Sequence, residues 1–299
     1  MLVPGWSGRD DEPGERWHQV VRQWAQSTRG GVAFSGFAGD EGVRRNQGRL
    51  GASEGPAALR AMMSNLATVR SDLFDCGDVT VKSHEFEVAQ LIYADRIAQS
   101  INTENLAIGL GGGHEIAFGS YLGLTKSELV GKGDRIGIIN LDSHFDLRPG
   151  EPSSGTPFAQ ALELGGGNTH YLALGISEAA NGRSLFERAD AMGAHYVLDR
   201  DLDQAPVAQV RVALDKVDHL YVSLDLDVLP ASVAPGVSAP AARGVPFDVI
   251  NQILQITAAS GKLRVFDVAE LNPRYDIDNR TARTAARLIW EVVRAWKPS

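Results

Sequence analysis

RIGIINLDSHFD, residues 135–146, runs apolar from Ile136 to Leu141 with one asparagine, then places Asp142, His144 and Asp146 within five residues. A parallel strand buried on both faces reads as a near-continuous apolar run, and ligands gather outside the carboxyl ends of such strands. LYVSLDLD at 220–227 has the same layout, ending in Asp225 and Asp227. Leu106–Leu110 leads in the same way into Gly111, Gly112, Gly113, His114 and Glu115. Outward from these three, β-branched apolar runs recur at Gly31–Phe37, Leu73–Val79, Tyr171–Gly175, His195–Leu198 and Leu263–Ala269. Helical periodicity fills Gly55–Leu66, Glu85–Ile101, Arg183–Met192, Pro246–Ala259 and Arg280–Trp296. Eight strands alternating with helices imply a mostly parallel sheet covered on both faces. An eight-stranded barrel satisfies the same count. No repeat or long linker interrupts the chain, so one domain over 1–299 is expected, with about the first dozen residues a loosely ordered leader. Glu15–Gln26, ERWHQVVRQWAQ, reads as an amphipathic helix packed on the domain or on a neighbour.

The chemistry concentrates at the three strand ends. Residues two apart in an extended chain point the same way, so Asp142, His144 and Asp146 can share a face, as can Asp225 and Asp227. Four converging carboxylates cannot all stay ionised without cations between them. With His114 and His144 they form a set rich in hard oxygen, with imidazole and no thiolate, which suits Mn²⁺ ahead of Fe²⁺, Co²⁺ or Zn²⁺. Six ligands are too many for one catalytic ion and about right for two that share bridging carboxylates. No GxxxxGKS or strand-linked GxGxxG occurs, so a nucleotide cofactor is not expected.

Composition narrows the partners. A net charge of −8 argues against nucleic acid, although arginines inside a pocket still accommodate a small anionic substrate. Cys76, the only cysteine, reads as a small core residue and fits a reducing compartment. The N-terminus lacks a signal-peptide layout and no apolar run reaches the roughly 18–20 residues of a membrane span. A cytoplasmic protein without membrane contact is the expectation.

GGGHE, LDSHFD and SLDLDVLPASVAPG resemble the signatures of the arginase (ureohydrolase) superfamily, and DVAELNPRYDIDNRTARTAARLI resembles its closing motif. The likeness spans about Gly36 to Ile289. It implies a three-layer α/β/α sandwich around an eight-stranded, mostly parallel sheet, and a binuclear manganese centre. Carried across by position, His114 and Asp146 bind one ion and His144 and Asp227 the other, while Asp142 and Asp225 bridge. The bridging water, lowered in pKa to hydroxide, then attacks a planar C=N carbon. Glu270 matches the glutamate that pairs with the substrate's amidine or guanidinium. A homo-oligomer is implied by analogy only.

Three further segments are similar to the formimidoylglutamase branch: GFAGDEGVRRNQGRLGASEGPAALR, HFDLR followed by SSGTPF, and GISEAANGRSLF. That likeness implies hydrolysis of N-formimino-L-glutamate to glutamate and formamide. Arginases carry a proton-shuttling histidine after the fourth strand, whereas no histidine occurs between Arg148 and Thr169. A substrate with two carboxylates and a cationic head needs arginine and an acid in its pocket. Arg148 is the first candidate, Arg44 or Arg45 the second, and Ser154 and Thr156 candidate hydrogen-bonders. Arg49, Arg274 and Arg280 read as structural, as do His84, His170, His195 and His219, and the five tryptophans read as packing residues. The rival readings are a urea-releasing hydrolase of agmatine or a guanidino acid, a single-zinc amide hydrolase, and a non-catalytic metal-binding protein.

Overall fold

The computed structural model describes residues 3–10, 12–82, 85–202 and 206–298. Among them nine strands form one sheet: β1 (Arg22–Gln23), β2 (Val32–Ala38), β3 (Leu73–Thr80), β4 (Leu106–Gly111), β5 (Ile136–Leu141), β6 (Thr169–Ile176), β7 (His195–Leu198), β8 (His219–Asp225) and β9 (Leu263–Ala269). Their order is β1-β3-β2-β4-β9-β8-β5-β6-β7, and every neighbouring pair is parallel. The open order excludes the barrel.

Why these runs become strands is visible in β5. Ile136 and Ile138 feed the apolar cluster on one face, while Ile139 and Leu141 feed the cluster on the other. That is the period-two alternation of a pleated strand buried twice. Helices α4 (Phe86–Asn102), α5 (Ile116–Lys126), α6 (Pro157–Gly165) and α7 (Arg183–Ala191) cover the first face, contributing Tyr93, Ile97, Tyr121, Phe158 and Ala189 to its core. On the second face α3 (Gly55–Met63), α8 (Pro206–Asp215), α9 (Phe247–Ala258) and α10 (Arg280–Ala295) contribute Leu59, Val210, Ile253, Leu254 and Ile289. The result is the expected α/β/α sandwich.

The sequence expectation differs from the structure at the N-terminal edge. The ninth strand, β1, is a two-residue exposed rung on β3. It lies inside the stretch expected to be an amphipathic helix, of which only one turn, α1 (Trp17–Val20), forms. Val21 leaves α1 in an extended conformation, and Trp24 N–H donates to Asp75 O at 2.9 Å. Trp17 is pulled wholly into the core beside Trp6 and Phe34, so burial of a tryptophan outweighs propagation of a short helix. Part of the expected leader packs on the domain. Trp6 is buried and its indole N–H donates to Asp75, which also takes two hydrogen bonds from the buried Arg60 guanidinium at 2.6 and 3.1 Å.

Cys76 is half-buried rather than in the core, its sulfur 3.9 Å from Ser100 Oγ, and burial pushes its thiol up. His219 pairs with Asp134, while His170 and His195 are exposed; none of the three lines the cleft at the carboxyl ends of the central strands. His84 lies outside the described residues. Among the described residues no helix is long and apolar enough to cross a membrane.

Candidate active site

The four strands that carry the acidic motifs, β4, β9, β8 and β5, are consecutive neighbours in the middle of the sheet. His114 follows β4, Glu270 follows β9, Asp225 ends β8, and Asp142 follows β5. All therefore meet at the carboxyl edge, where His114, Glu270 and Asp225 line one cleft of about 310 Å³ with His144, Asp146 and Asp227, and Asp142 stands beside it, 3.2 Å from His114 Nδ1. A larger, mainly apolar cavity of about 420 Å³ lies under α8 against the opening residues of β5, β6 and β7; it holds none of these groups.

Convergence comes from turns rather than from extension. Asp142 folds its Oδ1 back to accept the His144 amide at 2.7 Å, and Asp225 Oδ1 accepts the Asp227 amide at 2.8 Å. Each is an Asx-type turn that ends the strand and swings the residue two positions on into the cleft. Asp146 and Glu270 hold left-handed backbone, with φ of 50° and 67°. Non-glycine residues there are strained by of order 1–3 kcal/mol, and such strain persists where surrounding structure fixes it. Around Glu270 the fixing bonds are its own amide to Gly112 O at 2.8 Å and its Oε1 to the His114 amide at 2.9 Å. The triple-glycine turn is needed for close approach: a Cβ on Gly112 would lie 1.8 Å from Gly39 O.

His114 Nδ1 lies 2.8 Å from Asp146, 3.1 Å from Asp225 and 3.2 Å from Asp142, yet makes no directed hydrogen bond to any of them. Donor atoms that crowd together without bonding one another are the kind of set that a cation could unite. His144 Nδ1 lies 3.0 Å from Asp227 and 3.6 Å from Asp142. Two sets of donors close enough to hold an ion result, His114–Asp142–Asp146 and Asp142–His144–Asp227, with Asp142 in both.

Taken by themselves, the side chains of the cluster are electrostatically unbalanced. Burial, then Asp227 and Asp142, pushes Asp225 well up, whereas the two imidazoles outweigh burial and hold Asp142 down. Asp227 pulls His144 up to about 12. Burial works to lower His114, but the three surrounding carboxylates hold it well above the usual imidazole value. Four carboxylates thus compete for two imidazoles, and divalent cations resolve the competition. The donor set, hard oxygen with imidazole, fits them.

The rim differs from the sequence expectation at several points. Arg148 lines the cleft, exposed, and among the described residues no ion pair or hydrogen bond engages its guanidinium. Ser154 lines it too, its hydroxyl accepting from Asn46 Nδ2 at 3.2 Å. Arg44 and Arg45 do not. Both lie on α2 (Glu41–Arg45) and pair with Glu41, and Arg45 also bonds Glu87 and Pro152 O. Thr156 is turned inward ahead of α6, where its hydroxyl bonds Ser153 O and Gln160 at 3.1 Å. Conversely Arg49, read as structural, lines the cleft while its guanidinium also bonds Ser238 O and Val237 O. Asn181, inside a motif quoted above but not singled out, lines it as well and braces the Asp142–Asp146 turn, donating to Ser143 O and accepting from Phe145 N. Arg274 and Arg280 do not line the cleft; they bond Glu54 and Ser232 O.

Known proteins resemble this chain over nearly its whole length. Residues 31–294 match the arginase family. Formimidoylglutamase of Nocardia farcinica is 48% identical over 97% of this chain and 96% of its own length. That of Rhodococcus opacus is 47% identical over 97% and 95%. Trypanosoma cruzi formiminoglutamase, crystallised with Mn²⁺, superposes with a TM-score of 0.84 at 26% identity, covering 94% of this chain and 97% of that one. Bacillus subtilis formimidoylglutamase shares the fold at a TM-score of 0.85 and 20% identity, covering 99% and 96%. With the parallel sheet, the acidic strand ends and these likenesses in agreement, the chain belongs to the arginase family of hydrolases.

Proposed function

We propose that this protein hydrolyses N-formimino-L-glutamate to L-glutamate and formamide at a two-manganese centre. One observation carries the reading: a single cleft presents a buried, unpartnered acid oxygen, Glu270 Oε2, and an unpaired guanidinium, Arg148. Those are complements to a cationic formimino head and an anionic carboxylate. The names and high coverage of the curated relatives support the same substrate.

His114 and Asp146 would hold one ion, His144 and Asp227 the other, with Asp142 and Asp225 shared between them. Two such ions supply Lewis acidity and lower the pKa of water. Glu270 Oε2 accepts an N–H of the formimino group and turns its planar carbon toward the acidic floor. Arg148, at the rim, takes a substrate carboxylate and fixes which end enters. The buried walls keep bulk water from the reacting carbon. Water adds to the formimino carbon, the bond from that carbon to the glutamate nitrogen breaks, and the nitrogen leaves with a proton as the amine. Formamide is the other product. The single cysteine supports a cytoplasmic setting.

Incubating manganese-loaded protein separately with N-formimino-L-glutamate, arginine, agmatine and 4-guanidinobutyrate tests the reading by product analysis. Formamide and glutamate from the first alone are expected. Urea from a guanidino compound with no formamide overturns the substrate while leaving the metal reading standing.

A further inference from the structure

Asp267 sits near the end of β9, fully buried, and belongs to neither donor set. Tyr221 donates to its Oδ2 at 2.7 Å and Ser223 Oγ donates to its Oδ1 at 2.6 Å, with the Ser120 hydroxyl as a further donor. The same Ser223 oxygen lies 2.9 Å from His114 Nε2.

Hydrogen counting fixes the direction of this chain. A carboxylate accepts only, and a serine hydroxyl has one proton to give. With that proton committed to Asp267, Ser223 can meet His114 only as an acceptor. The imidazole proton then resides on Nε2, and Nδ1, the nitrogen ringed by Asp142, Asp146 and Asp225, keeps its lone pair. Among the described residues His144 has no such support: its partners, Ser143, Asp142 and Asp227, all lie at Nδ1 or the main chain.

We propose that Asp267, acting through Ser223, is a positioning residue that holds His114 in the Nε2–H tautomer and so readies Nδ1 for a metal ion. The inference rests on the two-metal reading above. Outer partners of a metal-binding histidine typically matter 10–100-fold in affinity. Asp267→Asn introduces an amide that can donate, which frees the Ser223 proton to turn toward Nε2 and block the required tautomer. Ser223→Ala removes the acceptor outright, and in that background Asp267 has no route to His114. Tyr221→Phe removes only the bond to the other oxygen.

Stepwise Mn²⁺ dissociation constants, measured by calorimetry and by electron paramagnetic resonance on metal-stripped full chain, decide it without reference to turnover. Wild type is expected to bind two ions. Ser223→Ala and Asp267→Asn should each weaken one of the two sites about 10–100-fold, Tyr221→Phe less than about threefold, and the double variant no more than the weaker single. Effects that multiply in the double variant overturn the proposal, because residues in one chain are non-additive and independent ones are additive. Ser223→Ala binding like wild type overturns it even where Asp267→Asn does not fold. Failure of the wild type to bind manganese is a separate result that removes the two-metal reading itself.

Discussion

Arg148→Ala separates substrate recognition from folding. Among the described residues no ion pair or hydrogen bond holds the Arg148 guanidinium, so truncation orphans no described buried partner, and stability should stay within about 0.5 kcal/mol of wild type. A charge-assisted hydrogen bond to a carboxylate is worth about 1.5–3 kcal/mol, and exposure at the rim places this one at the lower end. At about 1.4 kcal/mol per decade, kcat/KM for N-formimino-L-glutamate should fall roughly 10–30-fold. Most of the loss should appear in KM, because the carboxylate lies away from the breaking bond and is bound equally before and during reaction. Arg45→Ala is the contrasting variant. Its guanidinium bonds Glu41, Glu87 and Pro152 O and lies 4.5 Å over the Phe86 ring, so its loss should cost about 1–2 kcal/mol of stability and leave KM alone. Steady-state kinetics and urea denaturation on both variants measure the four quantities. Arg148→Ala with kcat/KM within threefold of wild type refutes the assignment, and a KM effect confined to Arg45→Ala would reverse it.

Two further outcomes are expected. Asp142 belongs to both donor sets, so Asp142→Ala should lose both manganese equivalents by elemental analysis while Asp146→Ala retains one, and chelating the wild type should lower its melting temperature. Arg60→Ala should cost about 3–5 kcal/mol in denaturant, because it takes the paired cation from the buried Asp75 carboxylate, which among the described residues keeps only its bonds from Trp6 and the Gly77 amide, and a loss under 1 kcal/mol contradicts that account.

Most of the sheet was legible because a strand buried on both faces has little choice of residue. Strands β2 to β9 fall within a residue or two of the runs read from sequence. The rung β1 was not legible, since two exposed residues carry no periodicity and its pairing partner lies some fifty residues away. The metal-type donors were legible through their spacing of two, although the reason given, an extended face, proved to be an Asx-type turn at Asp142 and again at Asp225. The arginines were a different case. Glu41 precedes Arg44 and Arg45 by three and four positions, a pairing signal that was present in the sequence and pointed away from the substrate. Thr156 before Pro157 carried a similar signal, that of a residue opening a helix. Arg49 had none. Its place on the rim depends on the reversal at Gln47, where φ is 63°, and on carbonyls nearly 190 residues further along.

The position of β9 governs the order in which the protein can be assembled. Among the nine described strands it is the last to be synthesised, yet it stands fifth in the sheet, the one rung between a four-strand half ending in β4 and another ending in β8. Until residues 263–269 arrive, these halves have no common backbone ladder, and His114 has no register against Asp142 or Asp225. A nascent chain therefore carries most of these donors for much of synthesis without the ladder that brings them together.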